Sequence, residues 1–245
     1  MIICFTGIDG SGKTLQAQRL VARLNEAGYP ARYVWTGGRA YLTRPLIWLA
    51  KRLLRAPGRA AARASAPSQP SGEMQAEDTA GRYRSYLAST QRLLRHGWLR
   101  SIWRHISLVE HLGEILVAAL PHLARGRIVV CDRYIYDSLI GIAVLAGTQP
   151  QDLPRAMRLP ALYPVPRPAL WFLVDVPPEV AFARRTDVVD IEFLERRAPL
   201  YRAAAAALGA LVIDGTRTPE AIEREIWRCV EPLLAAPASR ARSTP

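Results

Sequence analysis

The sequence predicts an α/β fold, a five-stranded parallel sheet with helices on both faces. Three observations carry that prediction. Five short apolar runs recur along the chain without polar alternation, as strands buried on both faces require. Segments of helical period lie between them, which makes the connections crossovers. The first apolar run leads straight into a glycine-rich turn, "GIDGSGKT" at 7–14, and then into a helical pattern.

Each element has its own signal. "IICFT" (2–6) is the first strand, and the spacing after the turn predicts a helix over 13–27. "ARYVW" (31–35) is the second strand. Helical pieces are spread over 41–123. Among them, "RPLIWLAKRLLR" (44–55) is basic and amphipathic. It reads as a helix over the ligand end of the sheet, with a membrane surface or a partner as the other readings. "RAPGRAAARASAPSQPSGEM" (55–74) has no apolar period and reads as a mobile surface loop. "RIVVC" (127–131), "ALWFLV" (169–174) and "ALVI" (210–213) are the remaining strands. Helices are predicted at 177–186, 192–208 and 219–233, two of them with proline in the first turn. The expected organisation of the 245 residues is one domain over 1–234, with an enlarged insertion at 37–105 that is mobile over 56–74, and a disordered tail at 235–245.

Composition narrows the function classes. No apolar run approaches the length of a membrane span, and no signal peptide is visible, so a cytoplasmic protein is expected. Cys4, Cys131 and Cys229 lie far apart with no metal spacing, and read as reduced thiols. The net charge of +12 points toward nucleic acid only weakly. Nearly every cation is arginine, a compositional bias that raises charge without any ligand. The only lysines are Lys13 and Lys51. Lys13 sits in the glycine-rich turn, where a compact ammonium fits between phosphates and a planar guanidinium does not.

The turn matches G-x-x-x-x-G-K-[ST] from Gly7 to Thr14 in the required strand–helix context. Gly7, Gly10 and Gly12, with Ser11 between them, let backbone N–H groups converge on a phosphate. Lys13 would bridge β- and γ-phosphates, and the Thr14 hydroxyl would ligate Mg²⁺. A bound triphosphate with Mg²⁺ is therefore expected. Asp9 is an acidic residue inside a phosphate cradle. It reads either as facing away toward a hydroxyl of a second substrate or as a turn-stabilising carboxylate.

"IVVCDRYIYDS" (128–138) brings Asp132 and Arg133 to the carboxyl edge of the sheet. Asp132 would join the Mg²⁺ shell or orient a nucleophile, and Arg133 would fork onto an anionic acceptor. A structural ion pair is the alternative. In "FARRTDVVDIEFLERR" (182–197), Arg184 and Arg185 would close over a triphosphate, or else are an ordinary solvated helix end.

Taken together, "FTGIDGSGKT", "LARGRIVVCDRYIYDS", "LVDVPPEVAFARR", "EFLERRAPLYRAAA" and "VIDGTRTPEAIEREI" resemble the thymidylate kinase family of nucleoside monophosphate kinases. These pieces run in the family's order and cover most of the chain outside 37–105. The resemblance implies a three-layer P-loop NTPase fold with strand order 2-3-1-4-5, ATP and Mg²⁺, a small phosphate acceptor and a homodimer. It implies that Asp9 binds the acceptor's sugar hydroxyl, that Arg133 clamps the acceptor phosphate, and that Arg184 and Arg185 belong to the lid. It places the turn from Gly215 to Arg217 beside adenine. The acceptor side departs from the family pattern. "WTGGRA" stands where an arginine-bearing turn is usual, leaving Arg39 as a shifted substitute. Counting back from the third strand, His111 or a neighbour falls where an arginine normally reads the base, and "DSLIGI" follows "DRY".

The expected activity is transfer of the γ-phosphoryl of ATP to a nucleoside monophosphate, dTMP first among them. A different small acceptor is the alternative, with Asp132 or Asp137 serving a hydroxyl acceptor as base. A P-loop ATPase acting on nucleic acid or a membrane surface is the third reading.

Overall fold

The structure, a computed structural model, describes residues 1–37, 97–157, 165–185 and 190–235. Five strands, β1 Ile2–Thr6, β2 Ala31–Trp35, β3 Ile128–Asp132, β4 Leu170–Asp175 and β5 Leu211–Asp214, form one sheet. Its order is β2-β3-β1-β4-β5, and every pairing is parallel. The predicted fold class and strand order are both present. The last three strands end one residue later than the apolar runs did. Each ends on an aspartate, Asp132, Asp175 or Asp214, whose backbone stays in the ladder although its side chain is polar.

Helices α1 Lys13–Glu26, α2 Gly97–Leu123, α3 Ile135–Ala146, α4 Leu153–Met157, α5 Pro178–Ala183, α6 Ile191–Leu208 and α7 Pro219–Ala235 cover the sheet. Side chains alternate across each strand, so β1 feeds two cores. Ile3 and Phe5 pack with Leu20 and Leu24 of α1 and Ile222 and Ile226 of α7. Ile2 and Cys4 face α2, α3 and α6, against Leu108, Leu139, Leu194 and Tyr201. Phe5 and Phe172 stack between strands with ring centroids 5.2 Å apart. Each is fully buried, contributing roughly 2–3 kcal/mol. Cys4 and Cys131 are in-register neighbours on β1 and β3. Burial, and then Asp132, push the Cys131 thiol up to about 12, so it stays protonated and unreactive.

α2 corrects two expectations. Its residues form one continuous helix of 27 residues where separate pieces were predicted. It is also long and apolar enough, by length and composition, to cross a membrane, whereas the linear reading found no such run. Glu110 and Glu114 interrupt the apolar run in sequence, yet leave the helix apolar on average. One stripe of α2, with Trp103, Leu108, His111, Ile115 and Ala119, is buried toward α3 and β3. α7 extends to Ala235, past the predicted end at 233. Of the insertion predicted at 37–105, residues 38–96, with its mobile part and basic stretch, lie outside the described residues, while 97–105 open α2; of the tail predicted at 235–245, the residues from 236 lie outside as well.

In a parallel sheet all carboxyl ends share one edge. β1 and β4 are neighbours whose outgoing connections leave in opposite directions, which opens a crevice at that edge. The loops from Gly7, Thr36, Arg133, Val176 and Gly215 all start there.

Candidate active site

The glycine-rich loop owes its shape to three positive-φ glycines, Gly7 (φ 144°), Gly10 (88°) and Gly12 (91°). A Cβ on Gly7 would lie 2.6 Å from the Val174 carbonyl oxygen, and one on Gly10 would collide with the Ala181 carbonyl of α5. The loop is thus pressed between β4 and α5, and only glycine fits. Gly12 is the N-cap of α1 and leaves the first amides of that helix directed at the crevice. Ser11 is buried, and its Oγ has no hydrogen-bond partner among the described residues.

Lys13 is 4% exposed. Its Nζ donates to the Ile8 carbonyl at 3.2 Å and to Asp9 Oδ1 at 3.3 Å. Burial, and then the neighbouring Arg133, lower its pKa. The Asp9 carboxylate is a meeting point for cations. Oδ1 also accepts from Arg133 Nη2 and lies 3.9 Å from Arg185. Burial works against its charge, but Arg133 and Lys13 outweigh burial and hold it down at about 2. In this structure the Asp9 carboxylate lies against Lys13 and Arg133.

Arg133 is the sole non-glycine residue with positive φ among the described residues, at 72°. Its backbone is tied on both sides: its N–H donates to the Phe5 carbonyl at 2.9 Å, and its carbonyl accepts from Thr36 Oγ1 at 2.6 Å. Its Nη1 reaches Asp137 Oδ1 at 3.4 Å. Asp137 is 7% exposed. Burial pushes its carboxyl up, against the pull of Arg133 and of hydrogen bonds from the Tyr201 hydroxyl and the Tyr134 N–H. Arg133 is held in the charged form by Tyr201, Asp137 and Asp9 despite its own burial.

Asp132 Oδ2 accepts from Thr14 Oγ1 at 2.6 Å and from the Tyr33 hydroxyl at 2.9 Å. Its Oδ1 is buried without a hydrogen-bond partner among the described residues. An orphaned carboxylate oxygen beside the Thr14 hydroxyl is a donor set that a hard divalent cation fits. Among the described residues no three His, Cys, Asp or Glu side chains converge, so any metal here would take its other ligands from phosphate and water.

The two arginines after α5 part company. Arg185 approaches Asp9 at 3.9 Å, while Arg184 Nη1 donates to the Gly215 carbonyl at 2.9 Å. Arg184 thereby joins the turn after β5, which Asp214 closes by accepting from Thr216 N at 2.9 Å and Thr216 Oγ1 at 2.6 Å. Arg217 of that turn is exposed and paired with Glu225.

His111 is buried on α2, with Nδ1 in contact with Ser138 Oγ on α3. Burial lowers its pKa to about 4, partly countered by Glu114, so the imidazole is neutral at pH 7. Arg39 lies outside the described residues. The fold therefore gathers Gly7, Asp9, Gly10, Ser11, Gly12, Lys13, Thr14, Asp132, Arg133, Asp137 and Arg185 at one edge. Arg184 and Arg217 lie at the neighbouring β5 turn, and His111 lies on α2 against Ser138 of α3.

Tyr33, Thr36, Ser138 and Tyr201 carry no signal of a role in the sequence. Tyr33, Ser138 and Tyr201 look like ordinary strand or helix residues and Thr36 like a loop residue, and only the fold brings them to the site. Tyr33 sits 99 residues from Asp132 in sequence. Its alternate position in β2 is the single signal that it shares a face with the carboxylate's strand.

No protein-family model matches the chain. Curated relatives do. A thymidylate kinase of Xanthomonas campestris pv. campestris (strain B100) is 32% identical over 241 residues, covering 96% of this chain and 85% of that protein. Thymidylate kinases of Symbiobacterium thermophilum and Solidesulfovibrio magneticus are 28% and 27% identical, each match covering 96% of this chain and 94% and 100% of those proteins. At 32% identity to a thymidylate kinase over 96% of its own length, with the phosphate loop and the parallel sheet described above, the chain belongs to the thymidylate kinase family.

Proposed function

We propose that the protein transfers the γ-phosphoryl of ATP to dTMP, yielding dTDP and ADP. The observation that carries this reading is the Asp9 carboxylate shared by Lys13 and Arg133. It puts the cation suited to the donor's phosphates and the cation suited to an acceptor phosphate side by side. Names of the relatives supply the nucleotide; the chain's own residues supply the phosphoryl chemistry.

An acceptor phosphate oxygen attacks Pγ, and the bond from Pγ to the β–γ bridging oxygen breaks. A phosphate monoester is already anionic at neutral pH, so no general base is needed. Alignment and charge neutralisation then do the catalysis. The loop amides and Lys13 hold the donor. Arg133 orients the acceptor phosphate, and Asp9, freed from its cations, accepts a hydrogen bond from the acceptor's sugar hydroxyl. Arg185, 3.9 Å from Asp9, would neutralise the transferring group. Arg184 fixes the turn that lies beside adenine, with Arg217. Mg²⁺, when bound, withdraws charge from the phosphates; Thr14 and Asp132 are the side chains that would hold it. His111 and Ser138 would bound the base. Asp137 is placed to steady Arg133, and Arg39 is the remaining acceptor-side candidate.

The reading includes a homodimer in the cytoplasm and a single domain over 1–234. Support for association is the exposed apolar stripe of α2, where Trp98, Val109 and Val117 are 66%, 64% and 78% exposed. A panel of nucleoside monophosphates and small alcohols, with ADP release as readout, tests the activity. Preference for dTMP is expected. Turnover with a hydroxyl acceptor alone, or with polynucleotide alone, would overturn the reading. The specific observation favouring a different acceptor is His111, a neutral imidazole where the family places a cationic arginine.

A further inference from the structure

We propose that Tyr201 is a positioning residue for the acceptor clamp, holding the Arg133 guanidinium in line through Asp137. The Tyr201 hydroxyl donates to Asp137 Oδ1 at 2.6 Å. The same oxygen accepts from Arg133 Nη1 at 3.4 Å, and Oδ2 accepts from the Tyr134 backbone N–H at 2.9 Å. Both oxygens of Asp137 are thus committed, inside a region where Asp137 is 7% and Tyr201 2% exposed. Bulk water does not compete there, so a charge-assisted hydrogen bond keeps its direction.

Arg133 needs such a support. Its backbone occupies a left-handed conformation that a residue with a Cβ adopts only when the surroundings impose it. Thr36 and Phe5 fix that backbone, but the long side chain beyond it has many rotamers. One Nη is anchored on Asp137 and the other on Asp9. When the acceptor phosphate draws Arg133 off Asp9, Asp137 remains as its fixed point, and Tyr201 fixes Asp137.

The position of Tyr201 adds a second consequence. It lies on α6, the helix that Asp190 caps just beyond the Arg184–Arg185 segment. Arg197, one turn earlier on α6, contributes positive potential at both Asp9 and Tyr201. The helix leading out of the arginine segment is therefore joined through one hydroxyl to the acceptor clamp. A phenylalanine would fill the same volume; only the hydroxyl makes this connection.

The inference rests on the phosphoryl-transfer reading, and the test separates the two. In the full chain, Tyr201→Phe keeps the buried ring. Steady-state kinetics should show the KM for dTMP rising about tenfold, with the KM for ATP changed less than about twofold. A merely structural residue would move both constants together or neither, and either result overturns the proposal. Asp137→Asn, which keeps the volume, should give the same one-sided change should Tyr201→Phe fail to fold. A readout independent of activity is the ¹⁵N side-chain spectrum of Arg133, assigned with Arg133→Lys. Tyr201→Phe should shift or broaden that guanidinium signal, and an unmoved signal refutes the link. If the wild type does not phosphorylate dTMP, the functional reading fails while the spectrum still decides the role of Tyr201.

Discussion

Asp9 and Arg133, 124 residues apart in sequence, meet in a hydrogen-bonded ion pair at the mouth of the phosphate loop. The same carboxylate oxygen holds Lys13 at 3.3 Å. Donor-side and acceptor-side cations are therefore tethered to one anion until ligands compete for them. Arg133→Ala should raise the KM for the acceptor by about 30-fold, the scale of one lost charge-assisted hydrogen bond, and leave the KM for ATP near wild type. Initial-rate measurements against each substrate check this, and an unchanged acceptor KM removes Arg133 from the clamp.

Lys13→Ala should lower kcat by roughly a thousandfold or more, because the buried ammonium is the loop's own positive charge. Far-UV circular dichroism should stay unchanged. Retained turnover at wild-type rate would mean that the loop is not the donor site.

Gly10→Ala is expected to abolish nucleotide binding while β1 and α1 persist. The added methyl meets the Ala181 carbonyl, and φ of 88° disfavours any side chain. Calorimetry with ATP and magnesium reads the outcome. Binding of ordinary affinity would show that the loop does not need its close seat on α5.

Arg184 and Arg185 should separate kinetically. Arg185→Ala is expected to reduce kcat about a hundredfold with a small change in ATP affinity. Arg184→Ala, which unties the Gly215 turn, should chiefly raise the KM for ATP. Identical phenotypes would argue that both act in one place.

Stability should fall with acid in a window set by His111. Unfolded, its imidazole takes a proton near 6.5; folded, near 4. Between those values the unfolded chain carries more protons, so the contribution of His111 is complete above about pH 6.5. It is lost as pH drops toward 4, by up to ~3 kcal/mol. Urea titrations at pH 7.5 and 4.5 should show that loss, and His111→Asn should flatten it. Asp9, held at about 2, adds a further loss only below about pH 4.

The sequence by itself determined the five strands, the helical crossovers that make a sheet parallel, and the phosphate loop, because each is signalled by a local pattern. Apolar runs buried on two faces, glycines with positive φ and a lysine at the head of a helix need no distant partner to be recognised. It also brought Asp132 and Arg133 to the sheet edge, since a strand end is a local event. Tertiary structure alone decided what those groups touch. Tyr33, Thr36 and Tyr201 read as ordinary strand, loop and helix residues until the fold sets their hydroxyls on Asp132, Arg133 and Asp137. Adjacent Arg184 and Arg185 are indistinguishable in sequence, and the end of α5 turns them to different loops. Hydrogen bonds act over about 3 Å, and residues 64 to 124 positions apart come within that reach only after the crossovers have folded.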